Sequence, residues 1–181
     1  MNSKGQEEAP FQLLVAVILM TFVIIVGLNA MKQAEQERCF NNTDSAMDKF
    51  VFALEQTTNN KSPSSIVFNP PGCSKNEKFL IKKFDDPRLC SNVCLGSTSS
   101  CVILRYSTSE VSKIPDKCIN VDYGTEFRYH PKNSECVDLT DDKFEGTDIL
   151  SGEGLEKGTF QFLYYDNPSI HYPIVCTYVK N

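Results

Sequence analysis

A long apolar run near the start of the chain matches the thickness of a lipid bilayer. No charged residue lies between Glu8 and Lys32, and the 21 residues from Phe11 to Met31 put apolar side chains on every side of a helical projection. In an α-helix this run spans about 31 Å, and the hydrocarbon core of a bilayer is about 30 Å thick. The pattern predicts a transmembrane helix over residues 11–31, preceded by a cytoplasmic segment of residues 1–10.

Two other structures could produce such a run. A core helix of a globular protein is usually shorter and apolar along one stripe only. A cleavable secretory signal has an apolar core of about 7–15 residues followed by a small-x-small cleavage site, and Leu28-Asn29-Ala30 matches that site poorly. We therefore favour a membrane anchor over both alternatives.

The next part of the chain, residues 32–58, reads as a juxtamembrane helical region. Residues 32–38 are good helix formers that extend the membrane helix, and Cys39-Phe40-Asn41-Asn42 is expected to interrupt it. A second, amphipathic helix is then predicted over residues 45–57, because its apolar side chains repeat at helical spacing. Its expected core-facing stripe comprises Met47, Phe50, Val51 and Leu54.

Residues 59–181 change to short alternating runs separated by turn signals, which is typical of a β-rich domain. Together with the helices this predicts an α+β fold. A long surface loop is expected over residues 141–157, with calcium binding there as a less favoured alternative. The expected strands lie at residues 65–69, 78–84, 101–107, 118–122 and 126–130.

A β-hairpin is predicted at the C-terminal end of this domain. Its two strands are marked by alternating large side chains, and a turn is expected at residues 166–169. Cys176 shares a strand face with large apolar residues, so we expect it to form a buried disulfide. Pro173 favours an edge position for that strand, since proline cannot donate to a ladder. The alternating residues are Phe160, Phe162 and Tyr164, then Ile170, Tyr172, Ile174, Cys176 and Tyr178.

All eight cysteines lie beyond the apolar run, and their even number predicts a disulfide framework. Eight cysteines permit 105 pairings, so the sequence leaves the connectivity open. Zinc binding is a less favoured alternative, because the cysteines and the isolated His130 and His171 lack the usual ligand spacing. The cysteines are Cys39, Cys73, Cys90, Cys94, Cys101, Cys118, Cys136 and Cys176.

Charge and motif content narrow the function. One lysine and two glutamates precede residue 32, which leaves 17 basic and 21 acidic residues in the rest of the chain. Such an acidic balance argues against a nucleic-acid partner. Neither histidine belongs to a recognisable catalytic grouping and no phosphate-binding loop is present, so we expect no enzyme activity, no metal and no cofactor.

The cysteines also decide the predicted orientation. Lysine and arginine are nearly balanced on the two sides of the run, so the positive-inside rule does not choose. Disulfides form in oxidising compartments, which places the C-terminal domain outside a single-pass cell membrane anchor. Two glycosylation triplets, beginning at Asn41 and Asn60, agree with a cell-surface glycoprotein.

Lys4-Gly5-Gln6 stands shortly before the apolar helix. This arrangement resembles the class III signal sequences of archaeal type IV pilin-like proteins. The resemblance implies cleavage between Gly5 and Gln6, packing of the apolar helix in a filament core, and an outward-facing β-rich domain. Many of these proteins carry a glutamate at the fifth position after the cut, where this chain has Pro10.

The expected function is therefore a membrane-anchored structural or interaction protein of the cell surface, in particular a minor pilin-like filament subunit. Its expected partners are the lipid bilayer and other proteins, including further copies that associate through the N-terminal helix. The alternative is a single-pass accessory or binding subunit of a membrane complex. The two predict different N-termini, cut at Gln6 or intact at Met1.

Overall fold

A computed structural model describes residues 8–94, 99–109, 114–137, 139, 143–166 and 172–180. The chain divides into two compact units, Met1–Cys39 and Phe40–Asn181, and each is described by itself. We call the second unit the head domain. A long apolar helix is followed by a β-rich domain with disulfides, as expected of an α+β fold. The elements are α1 (Glu8–Asn60), β1 (Ser64–Phe68), β2 (Lys78–Phe84), α2 (Pro87–Val93), β3 (Ser100–Ser107), β4 (Lys117–Val121), β5 (Glu126–Arg128), β6 (Glu145–Gly146), β7 (Gly158–Tyr165) and β8 (Ile174–Lys180).

Helix α1 is continuous from Glu8 to Asn60, so the predicted interruption at residues 39–42 is wrong. The physical reason is burial within the head domain. Phe40 packs against the core and Thr43 is fully buried, which extends the helical repeat of Met47 back by two turns. This packing outweighs the weak helix propensities of cysteine and asparagine. The helix ends where Lys61 adopts a positive φ of 54°, a common conformation just after a helix C-terminus.

Within the head domain, the last turns of α1 supply one wall of the main core. Met47, Phe50 and Leu54 are fully buried, as the sequence stripe predicted, and Val51 packs at its margin. Phe50 is the centre of this wall. Its ring makes edge-on contacts with three other phenylalanines, at centroid distances of 5.2, 5.3 and 5.4 Å to Phe68, Phe160 and Phe162.

The larger sheet has five strands, four of them in the order β1-β7-β8-β5, and β6 also pairs with β8. Strands β1 and β8 are both antiparallel to β7, whereas β5 is parallel to β8. Strand β8 is therefore bonded along both sides, and the predicted edge position is wrong. Pro173 lies just before β8 rather than in it. Its carbonyl accepts a hydrogen bond from the Glu126 amide at 2.8 Å. The paired residues of β8 begin at Ile174, so the missing N–H of Pro173 falls outside the ladder.

The smaller sheet contains β2, β3 and β4, all antiparallel. Its central strand alternates cleanly: Val102, Leu104 and Tyr106 face the main core, while Cys101 and Ile103 face a small cluster on the other side. A contact between Phe79 of β2 and Phe68 of β1, at 5.1 Å, joins the two sheets across the core. This alternation is the sequence period of two on which the strand predictions relied.

The remaining predictions agree in outline with the observed elements. Strand β2 has the predicted bounds, and β3 and β4 begin one residue earlier than expected. The segment after Asp86 contains the short helix α2, with the Asp86 carboxylate accepting from the Arg88 amide at its N-terminus. The expected long loop includes the short strand β6. The predicted turn at residues 167–169 and Ile170 lie outside the described residues.

Candidate functional site

The apolar segment of α1, residues 11–31, is exposed along its whole length. Its large side chains leave between 38% (Val15) and 71% (Leu13) of their surface uncovered. The helix is long and apolar enough to cross a membrane, with a mean hydropathy of 2.8 in its most apolar window. The hydroxyl of Thr21 donates to the Val17 carbonyl at 2.8 Å, so this polar group is satisfied inside the helix. Contiguous apolar surface of this size marks a lipid or protein interaction.

The predicted processing site, Gly5 and Gln6, lies outside the described residues, as does Lys4. The described helix begins at Glu8, and Pro10 falls in its first turn. Proline is well tolerated there, because the first amides of a helix have no intrahelical acceptor. The sequence near the predicted cut is therefore compatible with a helix that starts a few residues later.

The cysteines form disulfides, as the sequence predicted, and none is free. The structure resolves part of the connectivity that the sequence left open. The pairs are Cys90–Cys101, Cys94–Cys118 and Cys136–Cys176, and Cys39 and Cys73 are disulfide-bonded as well.

Two of these disulfides lie together on the outer face of the smaller sheet. Cys90 is the one buried residue of α2, so its bond to Cys101 holds that helix against β3. The sulfur atoms of Cys94, Cys101 and Cys118 lie within 4.8 Å of one another. Metals bind the thiolate form of cysteine, and these sulfur atoms are already committed to disulfide bonds. We therefore interpret the cluster as two adjacent structural disulfides.

The third disulfide fastens β8 to the segment that precedes β6. Cys136 and Cys176 are buried with Ile174 and Tyr178 in a second core, as expected from the face shared along the strand. The Tyr178 hydroxyl donates to the Val137 carbonyl at 2.7 Å. The disulfide and this hydrogen bond together fix the segment after Asn133 on the outer face of the larger sheet.

The two glycosylation triplets have different settings in the head domain. Asn41 is exposed on α1, but the hydroxyl of its partner Thr43 is buried, 3.2 Å from the Cys73 sulfur. Asn60 and its partner Ser62 are both exposed at the end of the helix. The folded head thus presents the complete triplet at Asn60 and only the asparagine of the first.

The structure describes one of the two histidines, His130. His130 is half-buried after β5, and its backbone lies against Gly146, where an added Cβ would stand 1.8 Å from the His130 carbonyl oxygen. This close approach explains why a glycine is needed in β6. His171 lies outside the described residues.

The acidic stretch forms one wall of a groove of about 510 Å³. Ordered backbone contacts shape this wall: the Asp148 carboxylate accepts from the Leu150 amide at 3.1 Å, and the Leu155 amide donates to the Phe79 carbonyl at 2.7 Å. Asp141 and Asp142 lie outside the described residues. The acidic side chains that line the groove are Glu77, Asp148, Glu153 and Glu156, with Lys78 as the single cation among its described lining residues.

Glu77 differs from the other carboxylates of this groove because three donors converge on one of its oxygens. One of its oxygens accepts from the Cys73 and Ser74 amides at 3.0 and 3.3 Å and from the Tyr106 hydroxyl at 2.9 Å. Burial, together with this bond to Glu77, raises the pKa of Tyr106 well above its usual value. Glu77 is therefore a structural carboxylate that organises the turn before β2.

A second groove, of about 540 Å³, has the opposite charge. Lys49 of α1 and Lys157 before β7 are its charged lining residues among those described, and both are exposed. Sequence reasoning missed this groove because the two lysines are more than a hundred positions apart. The other lining residues are Asn42, Ser45, Ala46, Val67, Asn69, Pro70 and Pro71.

Other charged side chains of the head domain are engaged with one another. Lys117 of β4 lies 2.7 Å from both Asp44 and Asp48 of α1. Burial lowers the pKa of this lysine, but its hydrogen bonds to the two carboxylates prevail and raise it overall. Asp85 accepts from the Ser100 hydroxyl at 2.6 Å, which with Lys83 lowers the pKa of that carboxyl despite partial burial. The contacts of Lys117 tie α1 to β4, and those of Asp85 tie the end of β2 to the start of β3.

Comparison with known proteins adds no further assignment. No family model, no curated protein and no solved structure matches this chain. What the fold and its surfaces define is a class: a disulfide-stapled α+β head domain in a chain with an exposed apolar N-terminal helix.

Proposed function

We propose that this protein is a membrane-anchored cell-surface subunit of the pilin-like kind, which assembles with further copies through its N-terminal helix. The observation that carries the proposal is the uncharged apolar segment of residues 11–31, which is exposed along its whole length. In water such a surface is unfavourable, at about 25 cal/mol per Å² of apolar area. Lipid covers it while the chain is an anchor, and the helices of sister subunits would cover it in an assembly.

The chemistry of the head domain supports an outward orientation. Four disulfides stabilise a small domain in an oxidising compartment and would be reduced in most cytosols. The complete glycosylation triplet at Asn60 is exposed, in keeping with an extracytoplasmic surface. The resemblance of Lys4-Gly5-Gln6 to a prepilin processing site adds the filament to this picture.

The intact mass of the native protein, purified in detergent with and without reduction, tests the proposal. A mass beginning at Gln6 is expected, with eight cysteines in disulfide form. A Gly5→Val variant should retain residues 1–5 and fail to assemble, whereas a Lys75→Gln variant, exposed on the head domain, serves as the matched control. A native mass beginning at Met1 would contradict the filament and leave a permanent single-pass anchor of a membrane complex.

A further inference from the structure

Two grooves of opposite charge lie on the same head domain. Lys49 and Lys157 line one of them, the lysine groove, together with Val67, which is 67% exposed. Glu153 and Glu156 line the other, the acidic groove, and both side chains are exposed. Within the described part of the chain, the ion pairs of the head domain involve other residues and leave these four charges unpaired.

We propose that neighbouring copies of this chain dock through these grooves, with the acidic loop of residues 148–156 from one head domain seated in the lysine groove of the next. The inference rests on the proposed function, because it describes how the head domains of neighbouring subunits contact each other in the same assembly. Charge complementarity selects the occupant: a basic groove on a chain of net charge −5 is suited to an acidic surface. The chain itself supplies such a surface on the acidic loop.

The residues of the two surfaces suit this pairing. Gly152 and Gly154 adopt positive φ values of 80° and 106°, which turn the acidic loop sharply around the exposed Glu153. The lysine groove is lined by Val67, Pro70 and Pro71 as well as by its two cations, which come from two different elements.

The symmetry of the contact also suits an assembly. The two contact surfaces differ, so the interface is heterologous, and repeated heterologous contacts build open chains unless the rotation happens to close a ring. Exposed ion pairs are individually weak. The head contact therefore depends on the high local concentration that apolar helices create once they have gathered in one membrane or assembly.

The test uses full-length chains with two different affinity tags, co-expressed, extracted in detergent and quantified by co-purification. The Lys49→Glu/Lys157→Glu variant makes both grooves acidic, and Glu153→Lys/Glu156→Lys makes both basic. Each variant alone should lose about tenfold of the wild-type co-purification, since attraction is replaced by repulsion. A mixture of the two variants should recover it, because each groove then meets a loop of opposite charge.

Matched controls separate this contact from a general effect of charge. Lys75→Glu/Lys82→Glu and Glu55→Lys/Asp122→Lys make the same charge changes at exposed positions outside both grooves, and neither should reduce co-purification. The four groove positions are exposed, so the variants should keep the wild-type melting temperature. If one double variant melts early, Lys157→Glu and Glu153→Lys provide the same exchange with single changes.

Failure of the mixed variants to recover co-purification would overturn the head contact, as would equal losses in the control variants. The proposed function fails in a different way. If wild-type copies do not co-purify at all, or if a charge placed in the apolar segment leaves co-purification unchanged, assembly through the helix is wrong. If a charge in the apolar segment reduces co-purification but the groove variants do not, the head contact is wrong and assembly through the helix stands.

Discussion

The two ends of helix α1 follow opposite rules of burial. Over residues 11–31 the apolar side chains occur on all sides and are all exposed. Over residues 43–58 one stripe of side chains faces the core, and Met47, Phe50 and Leu54 are fully buried in the head domain. Both ends have the same helical backbone, so the backbone does not show which surroundings stabilise the side chains of each end. The head domain covers its own stripe, whereas the apolar segment needs a surface from outside the chain.

The largest expected effect comes from the core of the head domain. Phe50 is fully buried and Phe52, two residues later, is 60% exposed. Phe50→Ala should destabilise the head domain by about 3–5 kcal/mol, because it opens a cavity among three aromatic neighbours. Phe52→Ala should change stability by less than about 0.5 kcal/mol. Denaturant unfolding of the full-length protein in detergent measures both.

Neither phenylalanine substitution should change extraction of the protein from membranes, since neither touches the apolar segment. Equal destabilisation by the two variants would show that the outer face of the helix is also covered, and the comparison between the two ends would then lose its basis.

Disulfide removal should come next in size and should depend on loop length. Cys136–Cys176 closes a separation of 40 residues and Cys90–Cys101 a separation of 11. On the chain-entropy model, loss of the first costs about 4 kcal/mol and loss of the second about 3 kcal/mol. Paired cysteine-to-serine variants, unfolded in parallel without reductant, measure the difference. A larger loss for the shorter loop would indicate that α2 contributes more through packing than through its staple.

A charge in the apolar segment should weaken membrane insertion and leave the stability of the head domain unchanged, the reverse of the core and disulfide variants. Ile24→Lys places an ammonium group near the middle of residues 11–31, at a cost of about 2.5–3.5 kcal/mol for membrane insertion. The melting temperature of the head domain should not change. Flotation with liposomes measures insertion, and Ile24→Leu is the matched control. Unchanged flotation of the lysine variant would refute a membrane-spanning role for this segment.

The features that the sequence predicted well are those encoded by local period. The uncharged run, the stripe of Met47, Phe50 and Leu54, and the alternation that buries Cys176 each depend on residues a few positions apart. Strand β2 has the predicted bounds for the same reason. Local pattern also predicted that the cysteines would pair, because an even number of cysteines beside a long apolar run can be recognised without knowledge of the fold.

The features that the sequence could not give depend on distant partners. Helix α1 continues through residues 39–42 because Phe40 and Thr43 meet the core, which local propensity does not report. Strand β8 is central because it pairs with β5, β6 and β7. The edge prediction was wrong because it rested on Pro173, which lies just outside the strand. Cysteine connectivity and the Lys49–Lys157 groove are likewise set by the tertiary fold.

The smallest expected effect concerns the hydroxyl of Tyr106, which donates to Glu77 at 2.9 Å. Tyr106→Phe keeps the buried ring and removes this bond, so the head domain should lose about 1 kcal/mol. Glu77 retains the Cys73 and Ser74 amides as donors, which should prevent a larger loss. Tyr165→Phe, at a partly exposed position on β7, is the matched control and should have no effect.

The pH dependence of this difference gives the sharper test. Burial and the bond to Glu77 raise the pKa of Tyr106 in the folded protein, so the folded state holds the phenolic proton more tightly than the unfolded chain. The stability gained is fully present below the unfolded pKa of about 10 and is lost as the pH rises through the folded value. The stability difference between wild type and Tyr106→Phe should therefore be constant from pH 7 to about 10 and shrink above it. A difference that stays constant up to pH 11.5 would show that the hydroxyl is not held in the buried, hydrogen-bonded state that links the turn before β2 to the centre of the smaller sheet.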